Sequence, residues 1–267
     1  MLECRKIGDG ELVWEQQGEG VPLLLLHGWL RSRQEWASLL PWISGAGRII
    51  SLDFPGHGAS EIVPGNYDIP FLVRRVVALA DHLGLKDFVP VGHGLGGAVA
   101  LQLGHEQPER VRRMVLISPS TWPNPVLDRR AAVVRGPLGR FYFQVAFNRE
   151  RCRNLLLRRH YADPSRVDDG LVDAVYLPWC RPGAREVLHK SLGPAFNPRI
   201  TLQLETVKAR TLTLWGQNDV VHPVAMGERL VREKPNTELE VLPGGDYMIQ
   251  ETASTWVADR LRTWLDR

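Results

Sequence analysis

The sequence predicts an α/β domain with a mostly parallel, doubly wound sheet of eight strands, interrupted once by a helical insertion. Three observations predict it. Short apolar runs at Val21–Leu26, Ile49–Asp53 and Met114–Ile117 alternate with helix-like segments, the rhythm of parallel strands joined by crossovers. The apolar run Phe88–Val91 ends in the corner Gly92-His93-Gly94-Leu95-Gly96-Gly97 and passes at once into a helix through Ala98–Leu103. From about Pro119 to Lys208 no strand pattern appears, only helical patches broken by Pro and Gly, and the sheet rhythm then resumes at Thr211. The expected organisation is a core of 1–118 and 209–267 with a cap, or lid, of 119–208.

Each element has a local reason. Residues 2–6 and 11–16 alternate weakly about Gly8-Asp9-Gly10, an opening β-hairpin. Val21–Leu26 is apolar on both faces, as a central parallel strand must be. A helix carrying Trp36, Leu39, Leu40 and Ile43 follows, stopped by Gly45-Ala46-Gly47. The strand at Ile49–Asp53 runs into the turn Phe54-Pro55-Gly56-His57-Gly58. Residues 69–84 place Leu72, Val73, Val76, Val77, Leu79, Ala80 and Leu83 at helical spacing before Gly84. After the insertion come a strand at Thr211–Gly216, a helix from about Val224, a strand at Leu239–Leu242 and an amphipathic helix over roughly 252–265.

Composition narrows the partners. A chain of 267 residues, 44% hydrophobic, buries a sizeable core. Its formal charge of +3 is too small for a nucleic-acid footprint. Three scattered cysteines (Cys4, Cys152, Cys180) indicate neither a disulfide framework nor a metal cluster. The start Met1–Lys6 lacks the apolar core of a signal peptide, and no apolar run approaches the roughly 20 residues of a membrane span. The expectation is a cytoplasmic monomer or homodimer with a small-molecule partner, no metal and no cofactor.

The glycine corner has the layout of a Gly-x-Ser-x-Gly nucleophile elbow, in which a strand-to-helix turn presents one side chain at a helix N-terminus. Gly92 and Gly96 stand at the outer positions, and the middle position is Gly94. Together with Leu26-His27-Gly28-Trp29, Asp53-Phe54-Pro55-Gly56-His57-Gly58-Ala59-Ser60, Pro108-Glu109-Arg110-Val111 and Trp215-Gly216-Gln217-Asn218-Asp219, this corner resembles the α/β-hydrolase superfamily over essentially the whole chain. The resemblance implies that fold and a triad in the order nucleophile, acid, histidine. Its acid position maps onto Asp219. Its histidine position maps onto Asp246, five residues before Glu251. Two triad members are therefore expected to be replaced, the nucleophile by Gly94 and the base by Asp246. Losing a triad member costs about 10⁶-fold in turnover and leaves only about 10³–10⁴ over water. Ordinary serine hydrolysis is not expected.

What remains is an oxyanion hole made of backbone: the Leu95 N–H, and one from Gly28 or Trp29. Asp219 and Asp246 are expected to face each other, raising one pKa and making an acid/base pair. Residues 121–205 hold thirteen arginines and one lysine against eight acids. They form either a solvated helical surface or a pocket that favours an anionic or carbonyl-rich aromatic ligand. Candidate lining residues are Gly94, Trp29, His93, Trp122, Tyr142, Trp179, His222 and Tyr247. His27 and His57 read as packing residues, His82 and His105 as solvent-facing, and His160 and His189 as lid residues. The leading functional reading is a non-hydrolytic enzyme of natural-product biosynthesis, acting on an aromatic or polyketide-like carbonyl compound by cyclisation, C–C bond formation, isomerisation or a lyase step. The alternatives are a catalytically silent binding protein and a hydrolase with a non-standard catalytic group.

Overall fold

Strands that are apolar on both faces need helices on both sides, and the alternation Leu23/Leu25 against Leu24/Leu26 supplies two cores. The computed structural model describes residues 2–123, 137–196 and 204–267. Eight strands form one sheet: β1 (Leu2–Ile7), β2 (Gly10–Gln17), β3 (Pro22–Leu26), β4 (Arg48–Leu52), β5 (Val89–His93), β6 (Arg113–Ile117), β7 (Arg210–Gly216) and β8 (Thr237–Leu242). Their order is β1-β2-β4-β3-β5-β6-β7-β8. The hairpin β1–β2 and the pair β2–β4 are antiparallel, and all other neighbours are parallel. The strand order reverses between β3 and β5, the switch point where open α/β sheets place their sites.

Leu24 and Leu26 pack under α1 (Ile69–His82) and α2 (Leu95–Glu106). Leu23 and Leu25 share the other face with Val91, Val115, Leu214 and residues of α7 (Ser254–Leu265). The helix expected through Trp36–Ile43 is instead two short turns, Arg33–Trp36 and Leu40–Ile43. Pro41 is the reason: it lacks an N–H and clashes with the preceding turn, so it is accommodated in the first turn of a new helix. The last helix likewise begins as a separate turn, Ile249–Thr252.

Between β6 and β7 the described chain is helical: α3 (Arg149–Leu155), α4 (Asp169–Tyr176) and α5 (Ala184–Phe196). Asn148 and Asp168 cap α3 and α4 by accepting from the N–H groups of Arg151 and Leu171, at 2.9 and 2.7 Å. The insertion is fastened to the core by tryptophans. Trp179 Nε1 donates to the Leu30 carbonyl (3.1 Å) and Trp29 Nε1 to Ser191 Oγ (3.1 Å). The expected lid arginines Arg129, Arg130, Arg135 and Arg199 lie outside the described residues. After β7 the chain forms α6 (Val224–Glu233). Among the described residues no helix is long and apolar enough to cross a membrane.

Candidate active site

Gly94 joins β5 to α2 with φ +50° and ψ −112°, the strained turn of an elbow. The flanking glycines are required by contact. A Cβ on Gly92 would meet the Gly96 carbonyl, and one on Gly96 would meet the Leu26 carbonyl. The corner therefore packs backbone against backbone, with the open N–H end of α2 toward the site. A Cβ on Gly94 would fall on the Tyr247 hydroxyl, far inside van der Waals distance. The phenol thus occupies the space an elbow side chain would use.

Three imidazoles surround the Tyr247 ring: His93 at 4.4 Å between centroids, His160 at 5.2 Å and His222 at 5.5 Å. Burial pushes the Tyr247 pKa well above its usual value, holding the phenol neutral. Burial also lowers the pKa of His222 to about 3 and that of His160 well below its usual range. Both rings are therefore neutral at neutral pH. His222 Nε2 lies 3.1 Å from Ser120 Oγ, which donates to the Ala195 carbonyl at 2.5 Å. His160 Nδ1 is enclosed without a hydrogen-bond partner, and no hydrogen bond engages its Nε2 among the described residues.

The two aspartates are buried but share no hydrogen bond in the described structure. Asp219 Oδ1 accepts from the N–H groups of Val221 and His222, both at 2.8 Å, and Oδ2 is enclosed, with the Ser118 hydroxyl near the carboxylate favouring its charged form. Burial raises the Asp219 pKa to about 7. Asp246 is fully engaged. Its Oδ1 accepts from Met248 N–H (2.9 Å) and Thr252 Oγ (3.0 Å), and its Oδ2 from Ala162 N–H (3.1 Å). It caps the turn after β8 and holds the insertion to the core, and its charge adds to the rise of the Asp219 pKa. Asp246→Asn would turn the acceptor facing Ala162 into a donor. The expected cost is about 1–3 kcal/mol, with amide exchange at Ala162 faster by an order of magnitude and exchange in β5 unchanged, as read by hydrogen-exchange mass spectrometry.

Glu35 is a residue the sequence reading missed. Its Oε1 accepts from the Gly28 N–H at 3.0 Å, and its Oε2 lies 3.3 Å from His93 Nδ1 and 3.7 Å from Arg31 Nε. The Gly28 amide is thus committed to a carboxylate, leaving Leu95 and Trp29 as the candidate backbone donors. His93 Nε2 donates to the Tyr247 carbonyl at 3.2 Å, so His93 holds Tyr247 from below. Arg31 pairs with Glu251, and Tyr161 bonds the same carboxylate. A cavity of about 180 Å³ opens between these charges and α4; neither Gly94 nor Tyr247 lines it.

The remaining candidates fall apart from this cluster. Trp29 and Trp179 join insertion to core, as described above. Trp122 is half-buried under the Arg229 guanidinium (4.2 Å) and Tyr142 under Arg151 (5.3 Å). His27 is structural: it accepts from Phe54 N–H at 3.0 Å and donates to the Gly28 carbonyl at 2.8 Å. Several lid arginines are spent on the surface, Arg149 and Arg153 on Asp169 and Arg140 on Glu186. Among the described residues no group of three or more His, Cys, Asp or Glu is placed to hold a metal.

An elbow at the switch point of an eight-stranded sheet, with a helical insertion after β6, defines an α/β-hydrolase-type domain. The profile of the alpha/beta hydrolase family matches residues 23–260, and the chain belongs to that family. It is 29% identical to a dihydrolipoyllysine-residue acetyltransferase component of the acetoin cleaving system of Pseudomonas putida, over 97% of this chain and 68% of that one. It is also 29% identical to a non-heme haloperoxidase of Rhodococcus erythropolis, over 94% of both. The fold is shared with the haloalkane dehalogenase DatA of Agrobacterium tumefaciens C58 (TM-score 0.86, 21% identity, 100% of this chain and 96% of that one). A meta-cleavage product hydrolase of Pseudomonas fluorescens IP01 shares it too (TM-score 0.85, 22% identity, 99% and 97%).

Proposed function

We propose that this chain is a non-hydrolytic enzyme of the family, with Gly94 in place of the nucleophile and Asp246 in place of the histidine. Its substrate is an aromatic or polyketide-like carbonyl compound, and its chemistry is a cyclisation, C–C bond formation, isomerisation or lyase step. The observation that carries this reading is the neutral Tyr247 hydroxyl standing over Gly94 at the N-terminal end of α2. A phenol O–H and the Leu95 N–H are two donors for one carbonyl oxygen, and they strengthen as charge develops on it. Arg31 is paired with Glu251 and lies beside Glu35, while its Nη1 is buried without a partner and its charge acts on Tyr247. Tyr247→Phe removes one donor and leaves the ring packing intact. Turnover of the true substrate should fall about 10²–10³-fold with the melting temperature nearly unchanged; undiminished turnover would sink the role of the phenol.

A second reading has its own observation. Ser120 Oγ and His222 Nε2 are within nucleophile–base distance, and several relatives bear hydrolase names, among them a 2-hydroxymuconate semialdehyde hydrolase of Pseudomonas putida. Against it, the Ser120 proton is directed to the Ala195 carbonyl. Covalent labelling of Ser120 by a fluorophosphonate, located by peptide mass spectrometry, would favour this reading over the first.

A further inference from the structure

Proton-transfer chemistry at a polarised carbonyl needs a base, and the aspartate expected to serve is occupied. Three imidazoles touch Tyr247, and hydrogen bonding separates them. His93 spends both nitrogens, on Glu35 and on the Tyr247 carbonyl. His222 spends Nε2 on Ser120, and its Nδ1 is enclosed. His160 Nδ1 is likewise enclosed, but its Nε2 is neither enclosed nor hydrogen-bonded among the described residues. It comes from the insertion, and three consecutive residues fix it. His160 packs on the Tyr247 ring, Tyr161 bonds Glu251 and Arg31, and the Ala162 N–H bonds Asp246.

We propose that His160 is the proton-transfer base of the site, supplied by the insertion, and that Asp246 and Tyr161 are its positioning residues. This rests on the carbonyl reading above. In the step, Nε2 of His160 takes a proton from the carbon next to the carbonyl. The C–H electron pair becomes the C=C bond of an enolate, the carbonyl π pair moves onto oxygen, where Tyr247 and the Leu95 N–H hold it, and the imidazolium later returns the proton to carbon as these shifts reverse. No oxidant, metal or water is consumed. Burial, with Arg31, His93 and His222 adding to it, keeps the free imidazole unprotonated and so able to accept.

The test uses acetophenone, whose methyl protons exchange slowly with D2O, followed by proton NMR, with binding read by saturation transfer. Wild type should accelerate exchange. His160→Gln should bind the ketone yet exchange it about 10²-fold more slowly. Added imidazole should restore part of the rate to His160→Gly, a rescue that a packing role would not show. Asp246→Asn should retain binding while lowering the maximal exchange rate. If His160→Gln exchanges at the wild-type rate while Tyr247→Phe is slow, His160 is not the base and the carbonyl reading survives. If wild type gives no exchange above buffer, the carbonyl reading falls and the assignment of His160 falls with it.

Discussion

Gly94→Ala should be among the most damaging single substitutions in the chain, lowering stability by about 3–5 kcal/mol, or roughly 10 °C in melting temperature. Two costs combine. At φ +50° and ψ −112° any side chain is strained, by about 1–3 kcal/mol. In addition the new Cβ meets the Tyr247 hydroxyl. The second cost is separable. In Gly94→Ala/Tyr247→Phe the hydroxyl is gone, so the double variant should recover about 1–3 kcal/mol relative to additivity. Thermal or denaturant unfolding of the four proteins closes the cycle. Additive losses would mean that the phenol does not sit over the elbow. The same clash bears on reconversion: Gly94→Ser with Asp246→His meets Tyr247 before it can form a dyad, so no esterase activity is expected from that pair alone.

Asp219→Asn should stabilise the protein at neutral pH and do nothing in acid. Burial raises the Asp219 pKa from 3.8 to about 7, so between those values the folded state keeps a proton that the unfolded state has shed. Stability due to this group therefore falls as pH rises through that window, and the full penalty is present above about pH 7. Asparagine keeps the acceptor for the Val221 and His222 N–H groups and cannot ionise. The gain should be about 2–4 kcal/mol above neutrality, shrinking to nothing near pH 4. A gain independent of pH would show that packing, not ionisation, is responsible.

How far the sequence disclosed this molecule depends on the range of each interaction. The strands and the glycine corner are local: β-branched and leucine runs, with Gly92 and Gly96 at a corner. Both were legible. The side chain that fills the elbow was not, because Tyr247 is placed by a turn after β8, and which way that turn aims depends on Asp246 accepting from Met248 and Thr252. Asp246 itself reads as a replaced base when only its position is known. Its three donors come from the turn and from an insertion 84 residues away in sequence. Glu35 lies just before Trp36 in an ordinary polar stretch, and nothing local reveals that it captures Gly28. His160 follows Arg158 and Arg159, which reads as a solvated face. It is buried only because the insertion folds down onto Tyr247.

The most direct test of the account is mass spectrometry of wild type and Tyr247→Phe incubated with a metabolite extract from the cells that produce the protein. A metabolite consumed by wild type should give a product of equal mass, of summed mass, or split without gain of water, and Tyr247→Phe should leave it unconsumed. A product that has gained water, or a ligand retained intact by both proteins with nothing consumed, would contradict it.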